Sequence, residues 1–489
     1  MVECAAFGPV CQALLEMNII RILLTTSSTS VACMGIGAIV TKIIAVNYGP
    51  VGLGFYAQIR NICQWLTITF SLNGNNSLIR LVARADSRNE QNNVISTVFA
   101  VNIVSSLLAI AVTLAFHSKF FESFGVGEYE KYLVTIIIVA LMGMFSGYFL
   151  SIINGLKRIY VLSGIQITAA ITALICCYPL FTFFEQDGLV YLLSVNFSVV
   201  LILSFAYLKF IGAIPGLTRA LITSFRKRVL RIHLQHSLTL LLTGIVGSST
   251  PLLLRTIYIS YGGSSLGGLY ESAWTLCMMY IMLLLSSFGT YYLPTLAPIS
   301  EPVERSKCVN NFLMLSLPIA VAVIATMIVL RQEVIAILYS KEFTRSGDIV
   351  RWMLIGDFFK VTSWVYGMLL LAYSDKSLFL VTEVLFNIII VIVTYLLIDT
   401  TIEAVGMAFL LSNILYLVLV VVVGVVKYKV EIGRTTVTLW CGMLAALIIL
   451  TAICWDAHRF DLGDFLLLVP VYLVMAAMIR KRLNKLNLT

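Results

Sequence analysis

One stretch of the chain reads Lys42-Ile-Ile-Ala-Val-Asn-Tyr48-Gly49-Pro-Val-Gly-Leu-Gly54-Phe-Tyr56. A later stretch reads Arg255-Thr-Ile-Tyr-Ile-Ser-Tyr261-Gly262-Gly-Ser-Ser-Leu-Gly-Gly268-Leu-Tyr270. In both, a cation lies in apolar sequence six residues before a Tyr-Gly pair, and a glycine-rich segment follows. Repeats in the same direction occur in transporter folds, and charges kept inside apolar spans are usually functional because lipid makes them costly. The two stretches therefore predict a membrane transporter.

The composition is that of a membrane protein. Hydrophobic residues make up 60% of the 489 residues and charged residues 12%, with a mean hydropathy of +0.98. Apolar runs of about 20 residues, each long enough for one helical span, recur along the whole chain, and we count about fourteen. They start near residues 19, 55, 94, 132, 160, 188, 232, 268, 309, 348, 378, 402, 435 and 463. No alternating barrel pattern is present, so we predict an all-α polytopic membrane protein.

The net charge of +9 is unevenly distributed among the loops. Lysines and arginines are concentrated in alternate loops, most densely in residues 209–231 and near the C-terminus, whereas the opposite loops carry few, among them Arg331 and Arg351. This bias follows the positive-inside rule and predicts that both termini are cytoplasmic. The basic excess therefore indicates topology, and we expect no nucleic-acid partner. The sequence has no Cys-x-x-Cys pair and its four histidines are scattered, so we expect no metal site and no cofactor.

The basic segment divides the chain into two halves that resemble each other. The predicted parts are an N-terminal extension with a possible start at Met17 (1–18), an N-lobe of six spans (19–208), a cytoplasmic basic linker (209–231), a C-lobe of six spans (232–428), and two further spans with a basic cytoplasmic tail (429–489). Two pseudo-symmetric six-helix lobes around a central cationic cavity follow from this division. We expect that cavity to open alternately to each side of the membrane.

The second predicted span carries a polar stripe. Arg60, Gln64, Thr67, Ser71 and Asn75 are three or four residues apart, which places them on one face of a continuous helix. Polar side chains of this kind commonly bond neighbouring membrane helices. A stripe of this length that includes an arginine also fits a hydrated cavity, which we favour because unpaired polar groups in lipid are costly.

Eight charged residues fall inside predicted helices. The cations are Lys42, Arg60, Arg80, Arg255 and Lys360, and the acids are Glu271, Asp357 and Glu383. Each also has a structural interpretation: the cations nearest the helix ends can extend to lipid headgroups, Asp357 and Lys360 can neutralise each other, and Glu271 can pair with Arg255. Together they predict a cationic cavity for an anionic substrate. Phosphate fits such a cavity, because arginine and lysine both bind it well.

These residues form the predicted site. The candidates for binding pyrophosphate and sugar are Lys42, Arg60, Gln64, Asn75, Arg80, Arg255 and Lys360. The candidates for coupling to H⁺ or Na⁺ are Glu271, Asp357 and Glu383. The sequence contains no Walker A motif and no long loop that would hold a transferase site, so we do not expect an enzyme.

Several stretches resemble the Wzx-type flippases, which act on lipid-linked oligosaccharides such as the O-antigen and enterobacterial common antigen units. The stretches are Lys42 to Gly54 with Ala57-Gln-Ile-Arg60, Tyr292-Leu-Pro-Thr-Leu296, Leu338-Tyr-Ser-Lys-Glu-Phe343, Ile355-Gly-Asp357-Phe-Phe-Lys360-Val, Gly367, Leu371-Ala372 and Glu383. The likeness covers about residues 19–428. That family belongs to the superfamily of MATE exporters and the lipid II flippase.

The resemblance implies a specific activity. It implies alternating-access transport of an undecaprenyl-pyrophosphate-linked repeat unit from the cytoplasmic to the periplasmic leaflet of the bacterial inner membrane. Lys42, Arg60, Arg80, Arg255, Asp357, Lys360 and Glu383 match positions where such flippases carry like residues. A polymerase and a chain-length regulator of the same pathway are the protein partners that it implies. Fourteen spans exceed the twelve-helix pattern, and the role of the last two stays open.

Two alternatives remain. One is a MATE-like, cation-coupled exporter of a small solute, which often carries an acid in its first helix, whereas the first span here has Lys42 and no acid. The other, of a different class, is a membrane O-antigen polymerase or ligase. Such an enzyme would need a large periplasmic loop, and the loops here are short. A channel fits least well, because the repeat predicts two lobes.

Overall fold

The structure is a computed structural model and describes residues 9–119, 127–213, 225–373 and 375–455, with a few residues between 468 and 476. Within these ranges the chain is helical. The α-helices are α1 (Pro9–Phe70), α2 (Asn75–Arg84), α3 (Arg88–Ala115), α4 (Leu133–Gly155), α5 (Ile159–Phe184), α6 (Asp187–Phe210), α7 (Lys227–Leu296), α8 (Pro302–Leu338), α9 (Ser346–Ala372), α10 (Lys376–Leu397), α11 (Ala404–Val426) and α12 (Arg434–Ile453). Short 3₁₀ helices lie at Gly127–Tyr132 and Lys341–Phe343.

The repeated glycine-rich stretches are the points where the two longest helices break. In α1 the break is at Gly49, with φ 60°, directly before Pro50. In α7 it is at Gly262 and Gly263, and Gly263 has φ 79°. A positive φ is favourable for glycine and costly for residues with a Cβ atom, which explains why the same residue type is used in both copies.

The described chain has eleven helices that are long and apolar enough to cross a membrane. Two of them, Ser28–Phe70 and Lys227–Leu296, contain the glycine breaks and each holds two of the predicted spans. The all-helical, multi-pass class predicted from the sequence is confirmed. Most of the fourteenth predicted span, the basic tail and most of the basic linker lie outside the described residues, as do residues 1–8 of the predicted extension. The helix α1 already includes Met17.

The chain divides into two compact units, each with its own core. The first comprises Met1–Ile44 and Tyr56–Leu252, and the second comprises Ala45–Phe55 and Leu253–Thr489. The segment around Gly49 therefore packs with the second unit, and the first part of α7 packs with the first. The sequence division placed these two segments in the opposite halves.

The first unit has an apolar core formed by α2, α3, α4, α5 and α6. Tyr148 on α4 is buried there and donates a hydrogen bond to the carbonyl of Ile95 on α3, at 2.8 Å. Gly155 lies so close to Val82 on α2 that an added Cβ would be 2.8 Å from the valine Cβ. Close approach through small residues is the usual way in which membrane helices pack.

The second unit is built around α9, which is buried along most of its length. Glycines allow α9 and α11 to approach closely: a Cβ on Gly356 would be 2.6 Å from the ring of Phe409, and one on Gly406 would be 2.5 Å from the carbonyl oxygen of Ile349. This packing places the charged middle of α9 inside the unit.

Two arginines that the sequence placed in loops are buried in helices of this unit. Arg331 in α8 is 3% exposed and Arg351 in α9 is 7% exposed. Arg331 donates to the carbonyls of Cys454 and Trp455 at 2.5 and 3.1 Å, and Arg351 pairs with Glu403. The loop assignment was wrong because these partners are more than 50 residues away in sequence and cannot be recognised from local hydropathy.

Candidate substrate and ion-coupling site

Arg255 and Glu271 form a buried ion pair within the second unit. Their side chains are 0% and 4% exposed, and an Arg255 Nη atom donates directly to a Glu271 carboxylate oxygen. Thr275 donates to the other carboxylate oxygen at 2.9 Å, and the Arg255 guanidinium lies 5.7 Å from the centre of the Tyr270 ring. The pairing predicted between these residues is confirmed. Both charges are satisfied inside the protein, so a substrate would reach Arg255 only if the pair separated.

Asp357 and Lys360 lie on one face of α9, but each has its own partner. Tyr280 on α7 donates a hydrogen bond to Asp357 Oδ2. The Asp357 side chain is fully buried and its Oδ1 atom has no hydrogen-bond partner. Among the described residues, no ion pair within 4.0 Å joins Asp357 to Lys360, but the two charges are close enough to interact.

The Lys360 ammonium contacts a thioether and an aromatic ring. It donates to the Met278 thioether at 3.3 Å and lies 5.3 Å from the centre of the Phe409 ring. A thioether sulfur is a weak acceptor and an aromatic ring attracts cations modestly. The side chain is half-buried. Its charge is therefore held by weak interactions, which a phosphate oxygen would readily replace.

Glu383 on α10 completes the charged group of the second unit. Its carboxylate accepts a hydrogen bond from Tyr416 at 2.9 Å, and it is close enough to Lys360 for their charges to interact. The structure thus brings Asp357, Lys360 and Glu383 into one region of this unit. A single cation between two carboxylates is an arrangement that can exchange a proton or a small cation as well as bind an anion.

The other predicted cations lie in the first unit. Lys42 and Arg60 are half-buried and both have interaction partners, and the Arg60 guanidinium lies 5.8 Å from the centre of the Tyr56 ring. Gln64 is exposed, and Arg80 on α2 is also exposed. Arg80 is therefore placed where an arginine can extend toward lipid headgroups, which was its structural interpretation.

The continuous polar stripe predicted for the second span is wrong beyond Phe70. The helix ends there, and Leu72 and Asn73 have φ of 48° and 50°, so α2 starts in a new direction at Asn75. Thr67 donates to the carbonyl of Ala140 at 3.2 Å, which is a bond between helices. The stripe is interrupted because Asn73-Gly74 forms a turn, and this dipeptide is a turn signal that the apolar run around it obscured.

A second set of polar contacts was missed from the sequence, although the turn explains it. Asn73 donates to the carbonyl of Leu240 at 2.6 Å, and Trp65 donates to Ser249 at 3.0 Å. The buried ring of His233 lies 3.1 Å from the hydroxyl oxygen of Ser77. These bonds attach the first part of α7 to α1 and α2 within the first unit. The sequence signal was the set of polar residues in apolar helices, and His233 is one of them.

The arrangement of helices is found in solved transporters. The chain aligns with the lipid II flippase MurJ in an inward closed conformation with a TM-score of 0.71, at 14% identity, covering 94% of this chain and 99% of that one. It aligns with an inward-facing multidrug resistance MATE family transporter of the MOP superfamily with a TM-score of 0.65, at 15% identity, covering 80% of this chain and 93% of that one. The fold is that of the MATE and MurJ transporters. The two-lobe architecture predicted from the internal repeat is the architecture of this fold.

The sequence itself is similar to curated flippases. It is 24% identical over 371 residues to the lipid III flippase of Escherichia coli K12, which covers 75% of this chain and 88% of that protein. The lipid III flippase of Shigella flexneri matches to the same extent. No family model matches the chain. The resemblance to flippases for lipid-linked oligosaccharides, predicted from short motifs, is confirmed along three quarters of the chain.

Proposed function

We propose that this protein is a flippase that moves an undecaprenyl-pyrophosphate-linked oligosaccharide from the cytoplasmic to the periplasmic leaflet of a bacterial inner membrane by alternating access. The observation that carries the proposal is the similarity to lipid III flippases over 88% of their length. The fold shared with a lipid II flippase supports the same class of substrate. Every relative named above is a transporter, so this proposal includes no catalytic step.

The pyrophosphate is the part of the substrate that the cations would bind. Lys360 is the first candidate, because its ammonium is half-buried and its direct contacts among the described residues are a thioether and a ring. Arg60 and Lys42 are the half-buried cations of the other unit, and Gln64 is exposed beside them on the same helix as Arg60. In this proposal a charge-assisted hydrogen bond to phosphate replaces the weak contacts of Lys360. Arg80, Asn75 and Arg255 have secondary roles, Arg255 through its pair with Glu271.

The acids would couple transport to an ion. Asp357 has a buried carboxylate oxygen with no partner, which is the group that a proton or Na⁺ would satisfy. Glu383 is the second candidate and Glu271 the third, since Glu271 already holds Arg255. The proposal also includes cytoplasmic termini, from the distribution of loop cations, and a polymerase and a chain-length regulator as partners in the pathway.

The test is deletion of the gene, followed by analysis of surface polysaccharide and of the pool of lipid-linked precursors. We expect loss of surface glycan, with single repeat units on undecaprenyl pyrophosphate that are accessible only from the cytoplasmic face. Units accessible from the periplasm would instead indicate a polymerase or ligase. An unchanged glycan and precursor pool would contradict the proposal and favour an exporter of a small solute.

Complementation with variants tests the proposed role of Lys360. We expect Lys360→Ala to restore less than a tenth of the surface glycan at a normal amount of folded protein, and Lys360→Arg to restore most of it. Arg434→Ala is the matched control, because Arg434 is an exposed cation at the start of α12. Wild-type glycan with Lys360→Ala would remove this residue from the site.

A further inference from the structure

The helix α12, the first of the two additional predicted spans, packs against the described part of the second unit through one face. Its buried residues are Thr436, Met443, Leu447, Leu450 and Thr451. Their spacing of three, four or seven residues defines a single stripe on a helix, and Trp440 falls on that stripe. Apolar side chains off this stripe, such as Val437 and Ile448, are exposed. Among the described residues, the helix therefore packs on the outside of this unit.

The first end of α12 is attached to α8 through polar bonds. The side-chain amide of Asn310 donates to the carbonyl of Glu431 at 2.7 Å and accepts from the backbone N–H of Gly433 at 2.9 Å. The backbone N–H of Glu431 also donates to Ser306, at 2.9 Å. Bonds to backbone groups in both directions fix the position of this segment relative to α8.

The second end of α12 is attached to α8 and α9 by the two buried arginines. Arg331 donates to the carbonyls of Cys454 and Trp455, which end the helix. The Arg351 guanidinium lies 3.9 Å from the centre of the Trp455 ring, and Trp352 packs edge-on against the same ring. A cation that binds the terminal carbonyls of a helix is favourable there.

In its middle, α12 contacts α9 at the residues that flank the charged pair. The indole N–H of Trp440 donates to Thr362 Oγ1 at 3.0 Å, and its ring packs against Phe358 and Phe359 at centroid distances of 5.2 and 5.6 Å. At about 100° per residue, positions 358, 359 and 362 lie on the face of α9 opposite positions 357 and 360. Trp440 thus supports α9 directly behind Asp357 and Lys360.

We propose that α12 is a fixed brace for α9 and that Trp440 is a positioning residue for Lys360 and Asp357. The helix is held at both ends and in its middle, so it moves together with α8 and α9 during transport. The proposal rests on the proposed function, because it assigns Lys360 to the substrate. The contacts of Trp440 are with Thr362, Phe358 and Phe359, so it acts on the two charged side chains through the position of α9.

The first test measures initial rates of flipping in proteoliposomes at increasing concentrations of a lipid-pyrophosphate-linked oligosaccharide. With Trp440→Ala, we expect the KM of the folded protein to rise at least fivefold, because α9 no longer holds Lys360 in place. Trp440→Phe keeps a ring against Phe358 and Phe359 and should stay within twofold of the wild type. Leu447→Ala is the matched control, since Leu447 lies on the same buried stripe two turns away.

The outcomes separate the two proposals. A wild-type KM for Trp440→Ala at equal folded protein would overturn the positioning role, as would an equal rise in KM for Leu447→Ala. If the wild-type protein flips no lipid-linked oligosaccharide, the proposed function fails and this inference fails with it. If the wild-type protein flips the oligosaccharide and Trp440→Ala has the same KM, the proposed function stands and only the positioning role of Trp440 is wrong.

The second test locks the brace with a disulfide. A Cβ at Gly433 would lie 3.5 Å from Cγ of Asn310, a distance compatible with a bond between cysteines at these positions. We expect the Asn310→Cys, Gly433→Cys protein to flip at the same rate when oxidised and when reduced, because α12 and α8 move together. Each single cysteine variant controls for the natural cysteines. A rate that falls more than fivefold on oxidation and recovers on reduction would show that α12 must move, and would overturn the brace.

Discussion

The buried pair of Arg255 and Glu271 gives the sharpest quantitative prediction. Replacing Glu271 by glutamine keeps the shape of the side chain and an oxygen that can accept from Thr275, but removes the negative charge. Arg255 is 0% exposed, so its guanidinium cannot be rehydrated without opening the unit. Breaking a buried ion pair on one side costs about 3–5 kcal/mol, because the remaining charge is uncompensated.

That cost is large compared with the stability of a folded domain, which is about 5–15 kcal/mol. For a unit of this size it corresponds to a decrease in melting temperature of roughly 6–20 °C. The assay is thermal unfolding of the purified proteins in one detergent at one scan rate, because unfolding of large proteins is often irreversible. Glu431→Gln, at an exposed loop position, is the control and should melt like the wild type.

The double variant Arg255→Met, Glu271→Gln tests the cause. It removes the Arg255 guanidinium, which Glu271→Gln leaves buried without a counter-charge. Replacing both members of a buried pair by groups of similar size is often neutral. We therefore expect it to recover most of the stability lost in Glu271→Gln. The charge argument would be refuted if Glu271→Gln had the same melting temperature as Glu431→Gln. It would also be refuted if the double variant were as unstable as Glu271→Gln.

Two further perturbations have clear expected results. Gly268→Ala should strongly reduce the amount of folded protein, because a Cβ there would lie 1.8 Å from the carbonyl oxygen of Pro50. Gly442→Ala is the control and should be neutral, because a Cβ there would have no atom within 4 Å. Equal yields of folded protein for the two variants would contradict the close contact of Gly268 with Pro50. Hydrogen bonds from Lys427 and Tyr428 hold the pKa of the half-buried Asp375 carboxyl below its usual value of 3.8. The stability that this adds is present above pH 3.8 and is lost as the pH falls through the lower folded pKa. The difference in melting temperature between the wild type and Asp375→Asn should therefore shrink below pH 3.8, and a constant difference would contradict it.

The helical spans and their breaks could be predicted because their signals are local. A run of about 20 apolar residues is long enough to cross the membrane whatever it packs against. The glycines at 49 and 263 were recognisable because both copies of the repeat carry them, and each adopts a positive φ. The pair of Arg255 with Glu271 was also predictable, since the two charges face each other from neighbouring helices and each needs a counter-charge in lipid.

Contacts between distant segments could not be predicted in this way. Local hydropathy places Arg331 and Arg351 in loops, yet Arg331 is buried against a backbone carbonyl and Arg351 against an aromatic ring from another part of the chain. The turn at Asn73-Gly74 had a local signal, which the long apolar run on its N-terminal side outweighed. The site assignments of Lys42, Arg60 and Lys360 remain predictions, because a bound substrate and not the fold decides which cations touch it.

The attachment of α12 also has a consequence for how the protein is made. The far end of α12 leaves the ribosome after α8 and α9, so Arg331 and Arg351 lack their contacts with Cys454 and Trp455 until that end is made. Arg351 can already pair with Glu403, but Arg331 lacks the two carbonyls that accept from its Nη2 atom, which is unfavourable for a buried guanidinium. A chain that stops before residue 454 would keep Arg331 without these carbonyls. The packing of α12 on α8 and α9 is therefore a late step in the assembly of the second unit.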